Sequence, residues 1–216
     1  MAARRHLPYF DKHGPMYRRP ITVLAWPARN ALQNLQRSDD IFVIAIDTAP
    51  TNDRPAARRQ IRAAVIEALG VLNGCAPSRF DLATVPGQPP RLVGTQIGIS
   101  LAHEVGLSVA AIHLRGAVGI DIVKRDAVVQ PEVDWYLLAH DYLGPAALKR
   151  IDDADRGQRP QVFATEWAAQ EARLKCRGLG LIEWDAARES MKKFDLHPLE
   201  LAPPWIGMLA IEKPLA

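Results

Sequence analysis

The order of strand and helix signals predicts an α+β fold built from two similar halves. Two observations carry that expectation. β-branched runs broken by one amphipathic helix fill the first half of the chain, and strands broken by several helices fill the second. A seam between them is expected near Gly116, and the repeat lies in the order of elements, without a residue-level period. This divides the chain into an irregular arm (1–20), an N-terminal α+β lobe (21–116) and a C-terminal α+β lobe (117–216).

The arm mixes Arg, His, Pro and Gly without periodicity. Ile21 to Trp26 reads as a strand, and Asp40 to Asp47 as a second, continuous enough to be central. Thr51, Asn52 and Asp53 offer caps for a helix opening near Pro55, a residue suited to a first helical turn. That helix runs from Ala56 to Leu69, with Ile61, Val65 and Leu69 on one face, Arg58, Arg59 and Arg62 largely on another, and Gly70 as its end. Gly87 to Pro90 is a turn by composition, followed by Arg91-Leu-Val. Ile97 to Glu104 and Leu107 to Leu114 flank a break at Gly106, and Gly116 to Val123 is one more strand. Pro131 to Leu143 and Pro145 to Ile151 read as separate helical pieces. A long helix from about Pro160 to Cys176 stops at Gly178 and Gly180. The tail holds short strands, Trp205 to Ile211 among them.

With 216 residues, 48% hydrophobic and 24% charged, the chain can bury a core without disulfides or structural metals. Cys75 and Cys176 are far apart and belong to no Cys/His cluster, which argues against zinc and against a disulfide framework. No apolar run approaches the roughly 18 residues that span a bilayer. The basic first twenty residues lack an apolar core of the secretory kind, so no membrane association and a cytoplasmic location are expected. A net charge of +3 permits an acidic partner. It falls far short of the dense basic stripe of a nucleic-acid binder, and no nucleic-acid partner is expected.

Three segments could carry chemistry: the polar cluster Ser100-Leu-Ala-His-Glu104, the carboxylate of Gly119-Ile-Asp121 inside an apolar strand, and Trp167 to Lys175 with Arg177-Gly-Leu-Gly-Leu181. Four-residue spacing places Trp167, Glu171 and Lys175 along one side of a helix. Each also has an ordinary structural reading. A strand Asp can simply accept hydrogen bonds, and Glu171 with Lys175 can be a solvated i,i+4 pair. His103 can be a turn histidine, and the arginines can be the wet side of a helix.

In combination and order, Ser-x-x-His, Gly-Ile-Asp and Trp-x-x-x-Glu-Ala-x-x-Lys-x-x-Gly-x-Gly-Leu resemble the 4′-phosphopantetheinyl transferase superfamily. The similarity is to its larger Sfp-type branch, in which one chain folds as a pseudo-twofold pair of lobes. It covers about Gly87 to Leu181, and its third motif is the specific one. The resemblance implies transfer of the 4′-phosphopantetheine arm of coenzyme A to a serine of an apo acyl, peptidyl or polyketide carrier protein, with release of adenosine 3′,5′-bisphosphate. It implies a Mg²⁺-dependent enzyme, here expected to be a monomer, in fatty acid, polyketide or nonribosomal peptide biosynthesis.

Such a transfer needs hard oxygen ligands for a divalent cation, cationic donors for a pyrophosphate and a base for the serine. By resemblance, Asp121 and Glu171 would ligate Mg²⁺, and Glu171 would also be the base. Lys175 would reach a pyrophosphate oxygen. His103 would bind a phosphate of coenzyme A, with Ser100 shaping its loop. Arg58 or Arg62 would grip the 3′-phosphate, while Gln88, Pro89 and Pro90 would line the adenine side. Three positions depart from the usual pattern. Val123 stands where many members have a second acid, Gln170 where a lysine commonly stands, and Ala102 where a serine precedes the histidine. These motivate an alternative, a weak or inactive homologue that binds coenzyme A or the carrier.

Overall fold

A computed structural model of the chain describes residues 17–27, 40–49, 53–85, 88–125, 134–186 and 194–213. In its first half lie β1 (Ile21–Ala25), β2 (Ile41–Asp47), helix α1 (Arg54–Asn73), a short 3₁₀ turn (Pro77–Arg79), β3 (Leu82–Ala83), β4 (Arg91–Leu92), β5 (Gly98–Glu104) and β6 (Leu107–His113). In its second half lie β7 (Val118–Lys124), helices α2 (Trp135–Tyr142), α3 (Gly144–Asp153) and α4 (Arg159–Cys176), β8 (Phe194–Glu200) and β9 (Trp205–Glu212). The expected α+β class is what the chain adopts.

The strands form one sheet in the order β3-β4-β5-β6-β2-β1-β8-β9-β7. The first strand in sequence lies inside the sheet, sixth of nine, next to the middle strand β2. β1 runs parallel to β8 through Ile21 and Thr22, then parallel to β2 through Val23 to Ala25. All other pairings are antiparallel, with β5 and β6 joined through Val105 and Gly106. Gly106 has φ 98, a left-handed conformation that glycine adopts without Cβ strain. Residues 17–20 are not a free arm, because the Arg18 amide donates to the Leu196 carbonyl at 2.7 Å and its guanidinium pairs with Asp195 at 2.6 Å. The remainder of the expected arm lies outside the described residues.

The apolar face of α1 covers one side of β2, β5 and β6, burying Ile61, Val65 and Leu69 against Phe42, Ile44, Ala110 and Ile112. Asp53 caps the helix by accepting the Ala56 amide at 2.9 Å. The other two cap candidates, Thr51 and Asn52, lie outside the described residues. The expected stop at Gly70 is a correction: the helix continues to Asn73, and Gly74, at φ 62, closes it. Gly70 is instead buried where the chain folds back, and a Cβ there would stand 2.9 Å from the Cys75 carbonyl oxygen.

A second cluster joins the halves, with Val43, Val109 and Ala111 packed against Ile120, Ile122 and Leu209. The helical pieces after β7 also differ from expectation. α2 starts at Trp135, residues 131–133 lie outside the described residues, and α3 reaches Asp153. β8 is a strand that no run of the sequence announced, since Pro198 interrupts its pattern. Its pairing on both sides, with β1 and β9, supplies what local propensity lacks.

Candidate active site

Small side chains bring the long helix onto the strand that carries the mid-strand acid. Ala168, Ala169 and Ala172 are fully buried on α4 in a cluster with Met208 and Ala210 of β9. On β7, Gly119 lies against the helix backbone. A Cβ there would overlap the Ala172 carbonyl and the Cys176 amide, so only glycine permits this approach. Two residues along, Asp121 emerges under the last turns of α4 and accepts a hydrogen bond from Lys175 Nζ at 2.7 Å. Lys175 also donates to the Leu101 carbonyl of β5 at 3.5 Å, which links helix, β7 and the other half at one ammonium.

Burial raises the Asp121 carboxyl above its usual range, while the Lys175 charge opposes that shift. Glu171, one helical turn before Lys175, is also raised, first by burial and then by the Asp121 charge. Glu104, at the end of β5, is raised by burial too, with the Asp121 charge adding to it. Two acids whose charges disfavour each other suit a divalent cation, and their hard oxygens are the donors that Mg²⁺ prefers. Among the described residues no group of three or more His, Cys, Asp or Glu side chains converges, so water would complete such a shell.

Next to this pair opens a cleft of about 580 Å³, lined by Arg54, Arg58, Arg62, Gln88, His103 and Lys175, with Thr84, Val85, Pro90, Leu101 and Ala102. The three arginines recur every four residues of α1, which puts them on one face. Arg62 Nε is buried and has no hydrogen-bond partner among the described residues. Desolvation, then Arg58, Lys175, Arg62 and Arg54, push His103 down to about 4. Its imidazole is therefore neutral at neutral pH, with Nδ1 sharing a hydrogen bond of 2.9 Å with Ser108 Oγ. Such a concentration of cationic donors suits a ligand with several phosphates. A second hollow of about 530 Å³ shares Pro90 and Lys175 with the first, and Pro89, Gly98, Ala117 and Cys176 contribute to its wall.

The structure thus brings Asp121, Lys175, His103, Arg58, Arg62 and Gln88 to one place, with Glu171 beside them. Pro89 faces the second hollow, and a Cβ on Gly178 would meet its ring at 3.5 Å. Ser100 and His103 require a correction, because both lie within strand β5 and neither belongs to a loop. Buried Ser100 accepts the Ile120 amide at 3.0 Å and so stitches β5 to β7. Trp167 is not in the cleft. It packs against Phe163 and Tyr142 at ring-centroid distances of 5.7 and 5.9 Å. Arg54 is a cleft residue that the sequence reading passed over, although its spacing with Arg58 and Arg62 was visible. Two departures have packing reasons: Val123 packs against both clusters around α4, and Ala102 is buried at the joint between the halves.

The sequence model of the 4′-phosphopantetheinyl transferase superfamily matches residues 117–216. The L-aminoadipate-semialdehyde dehydrogenase-phosphopantetheinyl transferase of Eremothecium gossypii is 30% identical over 152 residues, which cover 65% of this chain and 55% of that protein. The chain thus matches about half the length of that curated relative. β7, α4 with its acid and lysine, and the strands beneath them all fall inside the matched region. Over residues 117–216 this chain is thus similar to the 4′-phosphopantetheinyl transferase superfamily.

Proposed function

We propose that this protein transfers the 4′-phosphopantetheine arm of coenzyme A to a serine of an apo carrier protein. The observation that carries the reading is the meeting of Asp121, Glu171 and Lys175 with a cleft lined by three arginines of α1. In this reading the two halves, divided near residue 116, share the work. The first half holds the nucleotide phosphates through Arg54, Arg58, Arg62 and His103, and the second carries the acids. Gln88 and Pro90 border the same cleft and contact the adenine side, with Pro89 behind them.

The carrier serine oxygen forms a bond to the phosphorus that bears the pantetheine arm, and the bond from that phosphorus to the bridging oxygen breaks. Adenosine 3′,5′-bisphosphate leaves. Glu171 receives the serine proton, a role favoured by its raised carboxyl. Lys175 exchanges its bond to Asp121 for a pyrophosphate oxygen and offsets the charge that gathers there. Mg²⁺ held by Asp121 and Glu171 would supply Lewis-acid stabilisation of the pyrophosphate. Neutral His103 donates a hydrogen bond to a phosphate without needing a proton first.

Mass spectrometry of apo carrier proteins incubated with the protein, coenzyme A and Mg²⁺ tests the proposal. Addition of one phosphopantetheine arm to a carrier serine is the expected result. Tight coenzyme A binding by calorimetry without transfer to any of a panel of fatty acid, polyketide and peptide carriers would overturn it in favour of a binding protein. That panel also identifies the client pathway.

A further inference from the structure

Away from the cleft, α4 carries a buried carboxylate that the proposed reaction does not use. Glu166 is 3% exposed. It accepts Arg150 Nε and Nη2 at 2.7 Å each, a two-pronged pairing, and the Tyr17 hydroxyl at 3.1 Å. Burial and the Glu166 charge both hold the Tyr17 phenol firmly protonated, so it stays a donor. Its ring packs on the cluster of Ala168, Ala169, Ala172 and Cys176, beside the turns that present Glu171 and Lys175.

Helical geometry shows why this tether matters. At about 100° per residue, the nine positions from Glu166 to Lys175 turn through about 180°, so the two side chains leave opposite sides of the helix. A hold on Glu166 therefore fixes the roll of α4. With side chains reaching roughly 5–6 Å from the axis, a roll of about 10° would carry Lys175 about 1 Å away from Asp121. Tyr17 also lies four residues before β1. Arg18 binds Leu196 and Asp195 in one half, and Val23 to Ala25 pair with β2 in the other. The arginines of the cleft sit on α1, which packs on β2.

We infer that Tyr17 is a positioning residue: through Glu166 it sets the roll of α4, and through β1 it ties that roll to the half that holds the arginines. The inference rests on the transferase reading of the cleft for its effect on rate, and on geometry alone for its effect on the helix. The test is Tyr17→Phe in the full chain, which removes only the hydroxyl, with Glu166→Gln as a second variant. Amide exchange over residues 166–176 should quicken about tenfold while α1 and β6 keep their rates. In the arm-transfer assay kcat should fall about tenfold or more, with KM for coenzyme A and the calorimetric affinity for adenosine 3′,5′-bisphosphate within about twofold. Exchange unchanged over 166–176, or raised equally in both halves, would overturn the positioning role, as would an unchanged kcat in both variants. If the unsubstituted protein transfers no arm, the transferase reading fails, and the exchange pattern still decides the role of Tyr17.

Discussion

Gly119→Ala should damage stability and transfer together. The added methyl has no flexible neighbour to push aside. It would overlap the Ala172 carbonyl and Cys176 amide of the helix backbone and stand 2.9 Å from the Ala172 carbonyl carbon. Overpacking of this kind costs about 1–3 kcal/mol, and a clash with backbone belongs at the upper end. For a domain of this size, about 3 kcal/mol lowers Tm by roughly 6–12 °C. Relief requires α4 and β7 to part by about 1 Å, which would stretch the 2.7 Å contact between Lys175 and Asp121 beyond hydrogen-bond range. A misplacement of that size costs about a hundredfold in rate. Thermal unfolding by circular dichroism reads the first effect, and carrier mass shift over time reads the second. Gly157→Ala serves as the control, because a Cβ there meets nothing within 4 Å. A Gly119→Ala protein with Tm as close to the parent as the control, and transfer within about twofold, would refute the close-approach account.

Alanine at Asp121 or Glu171 should leave the far-ultraviolet spectrum intact and lower transfer by about a hundredfold or more; unchanged turnover of either variant would reject its role. Chelation should abolish transfer by the parent protein, and added Mg²⁺ should restore it. Arg62→Met removes a buried Nε that has no partner among the described residues. The free protein should gain about 1 kcal/mol in urea unfolding, while calorimetry should show adenosine 3′,5′-bisphosphate binding about tenfold more weakly. His103 titrates near pH 4 when folded and near 6.5 when unfolded. Below about pH 6.5 the unfolded chain thus binds a proton that the folded chain does not, and stability declines as pH falls toward 4. Urea midpoints across that range should fall less steeply in His103→Gln.

The acids of the cleft were legible because their surroundings were so different from them. Asp121 is a carboxylate inside an apolar strand, and Glu171 and Lys175 stand one helical turn apart after a tryptophan, a pattern that survives without a structure. Gly119 was legible as part of a motif, but its physical task was not, because Ala172 and Cys176 lie on another element. Helix α1 was placed by its apolar face, yet its end was misread. Gly70 serves a tertiary contact with the 75–77 return, and the sequence marks both uses of glycine alike. Strand β8 was missed because its stability comes from strands on either side, not from its own residues. Glu166 gave no signal, since its partners lie 16 and 149 positions away. Arg54 was the avoidable omission, for its spacing with Arg58 and Arg62 needs nothing beyond helical periodicity.

The interior place of β1, between β2 and β8, has a consequence for how the chain matures as it is synthesised. Arg18 must wait for Asp195, 177 positions later, before its side of the sheet can close. At about 5–20 residues per second, that wait on the ribosome lasts on the order of ten to thirty-five seconds. During it, β2, β5 and β6 can assemble against α1, but Ile21 and Thr22 have no strand to pair with on their other side. The arginine face can therefore take shape early, whereas β7, which carries Asp121, gains its ladder partner β9 only at the end of the chain.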